Sequence, residues 1–339
     1  WYIKRKYSKK LYYFWNSFDY WNKRSKYDLC CISILNFMRR RKMLKKAKEI
    51  LLISIVTFIS FFFLSACSNK SASKQQMTRP KELQSWQMSN MNYIQLHKLS
   101  TGKSQKIALI DSGVTQNEKT VYSASLIGGS EFDENGHGTM MYSLIKGIPN
   151  ELQGIAPDVS IISLKIMGAE SSVTPEIIKQ GIEQAKKEGA TIINLSIGST
   201  KNNPLIANEI KKCIDSGISI VASSGDYSSE SMMFPASSEG VISVGAIDQK
   251  GQILSLTSGA NHTVINATGG DVMTEGLDSK IFQSSGTSQA TALISGYVAL
   301  LKDVVARYHK VLSNEQIISN LEKINSGTEN YLSILKKIK

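Results

Sequence analysis

Three short segments hold the side chains from which acyl-transfer chemistry is built. Ile110-Asp111-Ser112-Gly113 carries an acid, Asn135-Gly136-His137-Gly138-Thr139 an imidazole, and Ser285-Gly286-Thr287-Ser288-Gln289-Ala290 a hydroxyl, each in a small-residue turn beside an apolar run. A serine hydroxyl is a weak nucleophile at neutral pH. It attacks a carbonyl when a neighbouring imidazole takes its proton and a carboxylate holds that imidazole in the right tautomer. Asp111 and His137 are 26 residues apart and His137 and Ser288 are 151 apart, so only a tertiary fold can assemble them. Singly, each segment has an ordinary alternative: a turn, a loop with a satisfied histidine, a helix cap.

The elements that must position these groups are legible around them. Lys106 to Ile110 is a short, mostly apolar run that predicts a buried strand with Asp111 at its C-terminal tip, the end at which parallel sheets place their ligands. Gly136 precedes a helical pattern with His137 in its first turn, and Gly286-Thr287 opens the small and apolar run from Ala290 to Leu301. Ser288 would then sit at a helix N-terminus, where free backbone N–H groups can stabilise a developing oxyanion. Strand-like runs at 160–167, 191–197, 218–223 and 241–246 alternate with helix-like segments at 174–188 and 204–216. That alternation predicts an α/β fold, a doubly wound parallel sheet with right-handed crossovers and helices on both faces. Ser313-Asn314-Glu315-Gln316 is a capping box for a last helix through Lys323.

Four further blocks lie between the three segments: Gly154-Ile155-Ala156-Pro157, Leu164-Lys165-Ile166-Met167-Gly168, Ile193-Asn194-Leu195-Ser196-Ile197-Gly198 and Val241-Ile242-Ser243-Val244-Gly245-Ala246. Together, over about residues 82 to 325, they resemble the subtilisin-like serine peptidases, the subtilases. The resemblance implies a subtilisin-like fold and a serine endopeptidase with Ser288 as nucleophile, His137 as general base and then acid, and Asp111 orienting His137. It also implies that Ser196-Ile197-Gly198 and Ser223-Ser224-Gly225 flank an extended peptide or protein substrate as strand edges. The pocket floor would come from Ser228 to Met233. Met232 or Met233 there would favour a small or apolar residue, Asp226 and Glu230 a basic one, and the methionine pair also reads as ordinary core.

The chain departs from the family's pattern at residue 226. The family's oxyanion hole uses an Asn side-chain amide, and the matching stretch Val221-Ala222-Ser223-Ser224-Gly225-Asp226 puts a carboxylate in its place. Either Asp226 is protonated and donates, or the site leans on the Ser288 backbone N–H alone. Gln289 stands where the family most often has Met, and Ala292-Leu293 where it has Pro-His. The loop Lys146 to Gln153 is short and holds only the carboxylate of Glu151. Hard cations want several oxygen ligands, so the family's calcium loop is not expected here, nor any other metal or cofactor.

The ends of the chain speak to location. The first 66 residues carry 15 Lys or Arg against Asp19, Asp28 and Glu49, which is the whole of the net charge of +12. The remainder is formally neutral, so the basic balance provides no phosphate-binding patch and no nucleic-acid partner is expected. From Met43 a positive segment, the apolar run Ile50 to Leu64 and the exit Leu64-Ser65-Ala66-Cys67 describe a secretory signal peptide at 43–66. The last four residues resemble a bacterial lipobox with Cys67 as the lipidated residue; an uncleaved membrane anchor is the other reading. Both place the domain outside the cytoplasm, at the extracytoplasmic face of the bacterial membrane. Residues 1–42 read as upstream sequence or an extension without recognisable chemistry, 67–81 as a flexible polar tether, and 82–339 as the peptidase domain, expected to be monomeric.

Only 44 residues separate Cys67 from Asp111, too few for a folded inhibitory pro-domain plus the first strand. Cys30, Cys31 and Cys67 precede the domain, and Cys213 within it is expected to be a packed core thiol. Some subtilisin-like enzymes remove leader peptides from lantibiotic precursors. A tether and a handicapped oxyanion hole suit such limited processing better than bulk degradation. The rival reading is a catalytically impaired pseudopeptidase that binds peptides in the same groove.

Overall fold

Apolar runs without room for a polar face must be buried on both sides, and here they line up as a parallel sheet. The computed structural model describes residues 85–169 and 173–338, all within one compact unit, Met77–Lys339. The expectations at 1–42, 43–66 and 67–81, Cys67 included, lie outside the described residues. Two short helices, α1 (Trp86–Asn90) and α2 (Tyr93–His97), lead into β1 (Lys106–Asp111) and β2 (Tyr122–Ser125). Then follow α3 (His137–Lys146), a hairpin of β3 (Gly147–Ile148) and β4 (Leu152–Gln153), β5 (Ser160–Lys165), α4 (Pro175–Lys187) and β6 (Ile192–Leu195). After α5 (Pro204–Asp215) come β7 (Ser219–Ser223), β8 (Ile242–Ile247), β9 (Ile265–Thr268) and a second hairpin, β10 (Val272–Glu275) with β11 (Ile281–Ser284). The chain closes with α6 (Thr287–Ala306), α7 (Asn314–Asn325) and α8 (Tyr331–Lys337).

The main sheet has seven strands in the order β2-β5-β1-β6-β7-β8-β9, every neighbouring pair parallel. Helices cover both faces. One core gathers α3, α6, α7 and α8 through residues such as Met141, Tyr297 and Leu321, and the other gathers α4 and α5 through Ile182, Ile210 and Cys213. This is the doubly wound α/β architecture expected, and the alternating runs fall where the sequence placed them to within one or two residues. Ser313 caps α7 as anticipated, accepting from Gln316 N while the Gln316 side chain accepts from Ser313 N. Cys213 is a fully buried free thiol.

The tips that matter come together because β1 lies between β5 and β6, at the point where the strand order turns back. Helix α6 packs across the sheet from β1 to β9 and against α3. It is long and apolar enough to cross a membrane, but its residues are buried in the core. Among the described residues it is the sole helix with those properties.

Candidate active site

Asp111 ends β1 with its side chain fully buried, as the apolar run before it predicts. Its Oδ1 accepts the Ser112 N–H at 2.8 Å, which fixes the carboxylate's orientation. His137 is the first residue of α3, and its Nδ1 lies 2.8 Å from Asp111 Oδ1 and 3.0 Å from Oδ2. The close approach of the two elements rests on glycine. A Cβ at Gly138 would overlap the Gly113 carbonyl oxygen, and the Gly138 N–H donates to Ser112 Oγ at 2.9 Å. Burial by itself lowers the proton affinity of His137. The charge and hydrogen bond of Asp111, with the farther charges of Asp133 and Asp226, outweigh that and raise its pKa above the ordinary imidazole value.

Ser288 is the second residue of α6, half-exposed at the sheet's C-terminal edge. Ser196 Oγ, one residue beyond β6, donates to the Ser288 carbonyl at 3.5 Å. Behind it Asn194 donates to Ser196 Oγ at 3.1 Å and accepts from Ser295 Oγ at 2.9 Å, so a buried polar chain ties the Ser288 turn to the sheet and to its own helix. The structure thus brings the acid, the imidazole and the hydroxyl to one end of one sheet. Among the described residues Ser288 Oγ makes no hydrogen bond.

Asp226, the departure from the expected amide, has a specific task here. Its Oδ1 accepts the Thr287 N–H at 2.9 Å and the Thr287 hydroxyl at 2.8 Å. It therefore caps α6, taking the place of the local side chain that Gly286 does not provide, and a carboxylate there is favoured by the helix dipole. At Oδ1 it is an acceptor in both bonds. Gln289, another departure, is buried and donates to Ser284 Oγ at 3.1 Å.

Residues 102–328 match the profile of the Subtilase family, peptidase S8. The chain belongs to the subtilase family. Among relatives, the Minor extracellular protease Epr of Bacillus subtilis (strain 168) is 30% identical over 235 residues, covering 67% of this chain and 36% of that protein. The Thermostable alkaline protease of Halalkalibacterium halodurans is 30% identical over 237 residues, covering 68% of this chain and 65% of its own length. Subtilisin DY of Bacillus licheniformis is 29% identical over 231 residues, which is 65% of this chain and 83% of that one. The subtilase therefore spans about a third and just under two thirds of the first two relatives' lengths. Among solved structures, the prenylagaramide maturation protease PagA shares the fold with a TM-score of 0.64 at 23% identity, over 73% of this chain and 98% of that chain.

The two expected substrate edges differ. Past Leu195 the backbone of Ile197 and Gly198 makes no hydrogen bonds among the described residues. The stretch Ser223-Ser224-Gly225 corrects the expectation, because its outer backbone groups are already paired. Ser224 N donates to Val244 O and Ser224 O accepts from Met233 N, while Gly225 N donates to Thr287 Oγ1 and Gly225 O accepts from Ser258 N. It forms a wall and not a free edge.

One residue of the subtilase's site escaped the sequence reading. Asp133, nearly buried, accepts the Asn135 and Gly136 N–H groups on Oδ1 and the Thr139 N–H and hydroxyl on Oδ2. It caps α3 and so aims His137. The signal was present as an Asp three residues before the helix's Gly136 N-cap. Lys165, buried at the tip of β5, holds the same loop through Phe132 O at 2.8 Å and Glu134 at 3.3 Å. Among the described residues, no group of three or more His, Cys, Asp or Glu could hold a metal ion.

Proposed function

We propose that this subtilase is a membrane-tethered, extracytoplasmic serine endopeptidase that makes limited cuts in a secreted peptide precursor, a lantibiotic leader being the specific form. The observation that carries the reading is the His137 Nδ1–Asp111 pair at 2.8 Å, set at the sheet edge where α6 presents Ser288. With Nδ1–H given to Asp111, Nε2 is the nitrogen left to take the Ser288 proton as Oγ attacks the scissile carbonyl. The same nitrogen returns that proton to the leaving amine; Nε2 then takes a proton from a water whose oxygen attacks the acyl carbonyl, and passes it to Ser288 Oγ as the acid product leaves. The Ser288 Oγ to Nε2 hydrogen bond forms as substrate seats, a tightening usual in such sites. The Ser288 backbone N–H faces the developing oxyanion.

Two things support the narrower reading. The fold is shared with PagA, a prenylagaramide maturation protease. Asp226 also spends its Oδ1 on Thr287 and does not assist the oxyanion from there, which fits slow, selective turnover. That same observation favours the second reading, a peptide-binding pseudopeptidase. A fluorophosphonate probe distinguishes them: the full-length chain is expected to be labelled covalently, and Ser288→Ala not at all. Absence of labelling in a folded wild type would leave the binding reading. Denatured casein is expected to yield few products, and rapid conversion to small peptides would exclude limited processing.

A further inference from the structure

The slot beside the nucleophile is already filled by a side chain of this protein. Strands β6 and β7 pair as far as Leu195 and Ala222 and then separate, leaving a crevice at the carboxyl end of a parallel sheet, the general place for a ligand in such sheets. Both walls touch the nucleophile's turn. Ser196 Oγ reaches Ser288 O at 3.5 Å, and Gly225 N reaches Thr287 Oγ1 at 3.3 Å. The segment Met233-Phe234 bridges the two walls as a floor: Met233 N donates to Ser224 O at 2.8 Å, and Phe234 exchanges backbone hydrogen bonds of 2.8 and 2.9 Å with Ser199.

The Met233 side chain rises from that floor between two glycines. A Cβ at Gly198 would lie 3.1 Å from Met233 Cβ, 3.4 Å from Cγ and 3.8 Å from Cε, so the thioether runs along that wall. On the opposite wall, a Cβ at Gly225 would overlap Met233 Cγ. The side chain is only 5% exposed. The other candidates for the slot are elsewhere: Met232 packs on Gly259, Glu230 is exposed, and the Asp226 carboxylate is turned to Thr287.

We infer that Met233 occupies the slot that would otherwise receive the side chain preceding the scissile bond, and that the subtilase accepts only glycine, alanine or serine there. The inference rests on the peptidase reading above and names its substrate class. A leucine, phenylalanine or lysine at that place would have to displace a methionine held between two glycine backbones. A basic residue would also meet no carboxylate in the slot.

The test uses the full-length chain in two arms. Binding is read on Ser288→Ala by fluorescence anisotropy with peptides ending in Ala, Leu, Phe or Lys, and cleavage on the wild type with a quenched library varied at the residue before the cut. Both arms are expected to favour Ala over Leu, Phe and Lys by about 100-fold, the scale at which a closed apolar pocket rejects larger groups. Met233→Ala is expected to raise the Leu and Phe substrates relative to the Ala substrate by roughly 30-fold, with Met233→Leu keeping the wild-type ranking. Equal handling of Ala and Phe in either arm overturns the inference and leaves the peptidase reading intact. The ranked binding without any cleavage does the reverse, and no binding of any peptide overturns both.

Discussion

At the scale of single residues, the site is a balance of carboxylates around one imidazole. Asp111 touches His137 directly, while Asp133 and Asp226 act on it from farther away as charges. His137 must be neutral to accept a proton, and its pKa is raised, so kcat/KM is expected to climb with pH through a value above the ordinary imidazole figure of about 6.5. Asp226→Asn removes one negative charge and keeps an Oδ1 that accepts from Thr287. It also supplies an N–H where the family has one. Turnover is expected to rise by about 10²-fold, a magnitude known from an oxyanion-hole amide in a subtilisin, and the acidic limb to move to lower pH. A pH–rate profile of both proteins checks this, and an unchanged limb would mean that the Asp226 charge is not felt at His137. The three candidate residues were legible because each sits in a turn holding glycine and a small residue beside an apolar run. Asp133 was not, since its four acceptor bonds depend on a turn that no periodicity marks.

At the scale of elements, α6 is the piece on which the others are hung. A Cβ at Gly296 would overlap Ile155 Cγ2, so the helix lies directly against the loop after β4. Near its far end, the buried Lys302 donates from Nζ to Thr191 O at 2.7 Å and Gly217 O at 2.9 Å, pinning α6 to the segments that enter β6 and β7. Burial pushes the Lys302 ammonium down to about 8. Between that value and the unperturbed 10.5 the unfolded chain holds a proton that the folded one has lost, so this group makes stability rise with pH across the window. Lys302→Met is expected to abolish that rise, the stability difference between the two proteins shifting by on the order of 2 kcal/mol from pH 7 to pH 10. Urea midpoints at the two pH values measure it, and parallel midpoints would show that the ammonium is solvated. The long strands and helices were readable from their apolar runs and caps. The short edge strands β2 and β9 and the hairpin of β10 and β11 were not, because four-residue runs mixing Ser, Thr and Asn with apolar residues carry no decisive period.

For the whole molecule, the chain after residue 66 is neutral in balance and the segment before it is basic, a division that the proposed tether would explain. If Cys67 carries a lipid, the peptidase acts on substrates that emerge beside it, and its effective concentration at the membrane offsets a modest turnover. Cys67→Ala is expected to move the protein from the membrane fraction to the medium or to leave it unprocessed, and mass spectrometry of the wild type to show a lipidated Cys67 as its first residue. A wild type recovered from membranes with intact sequence upstream of Cys67 would favour the uncleaved anchor.

By itself the sequence determined the fold class, the three candidate groups and the strand tip and helix starts that carry them, since these follow from local periodicity and from the residue types that acyl transfer requires. Tertiary structure alone decided what Asp226 binds, which methionine fills the crevice and which expected edge is already paired. Asp226 and Thr287 are 61 residues apart, and Gly198 meets Met233 only because β6 and β7 diverge above a bridging floor. A side chain's hydrogen-bond partner and the free volume beside it are set by neighbours distant in the chain, and no window of the sequence contains them.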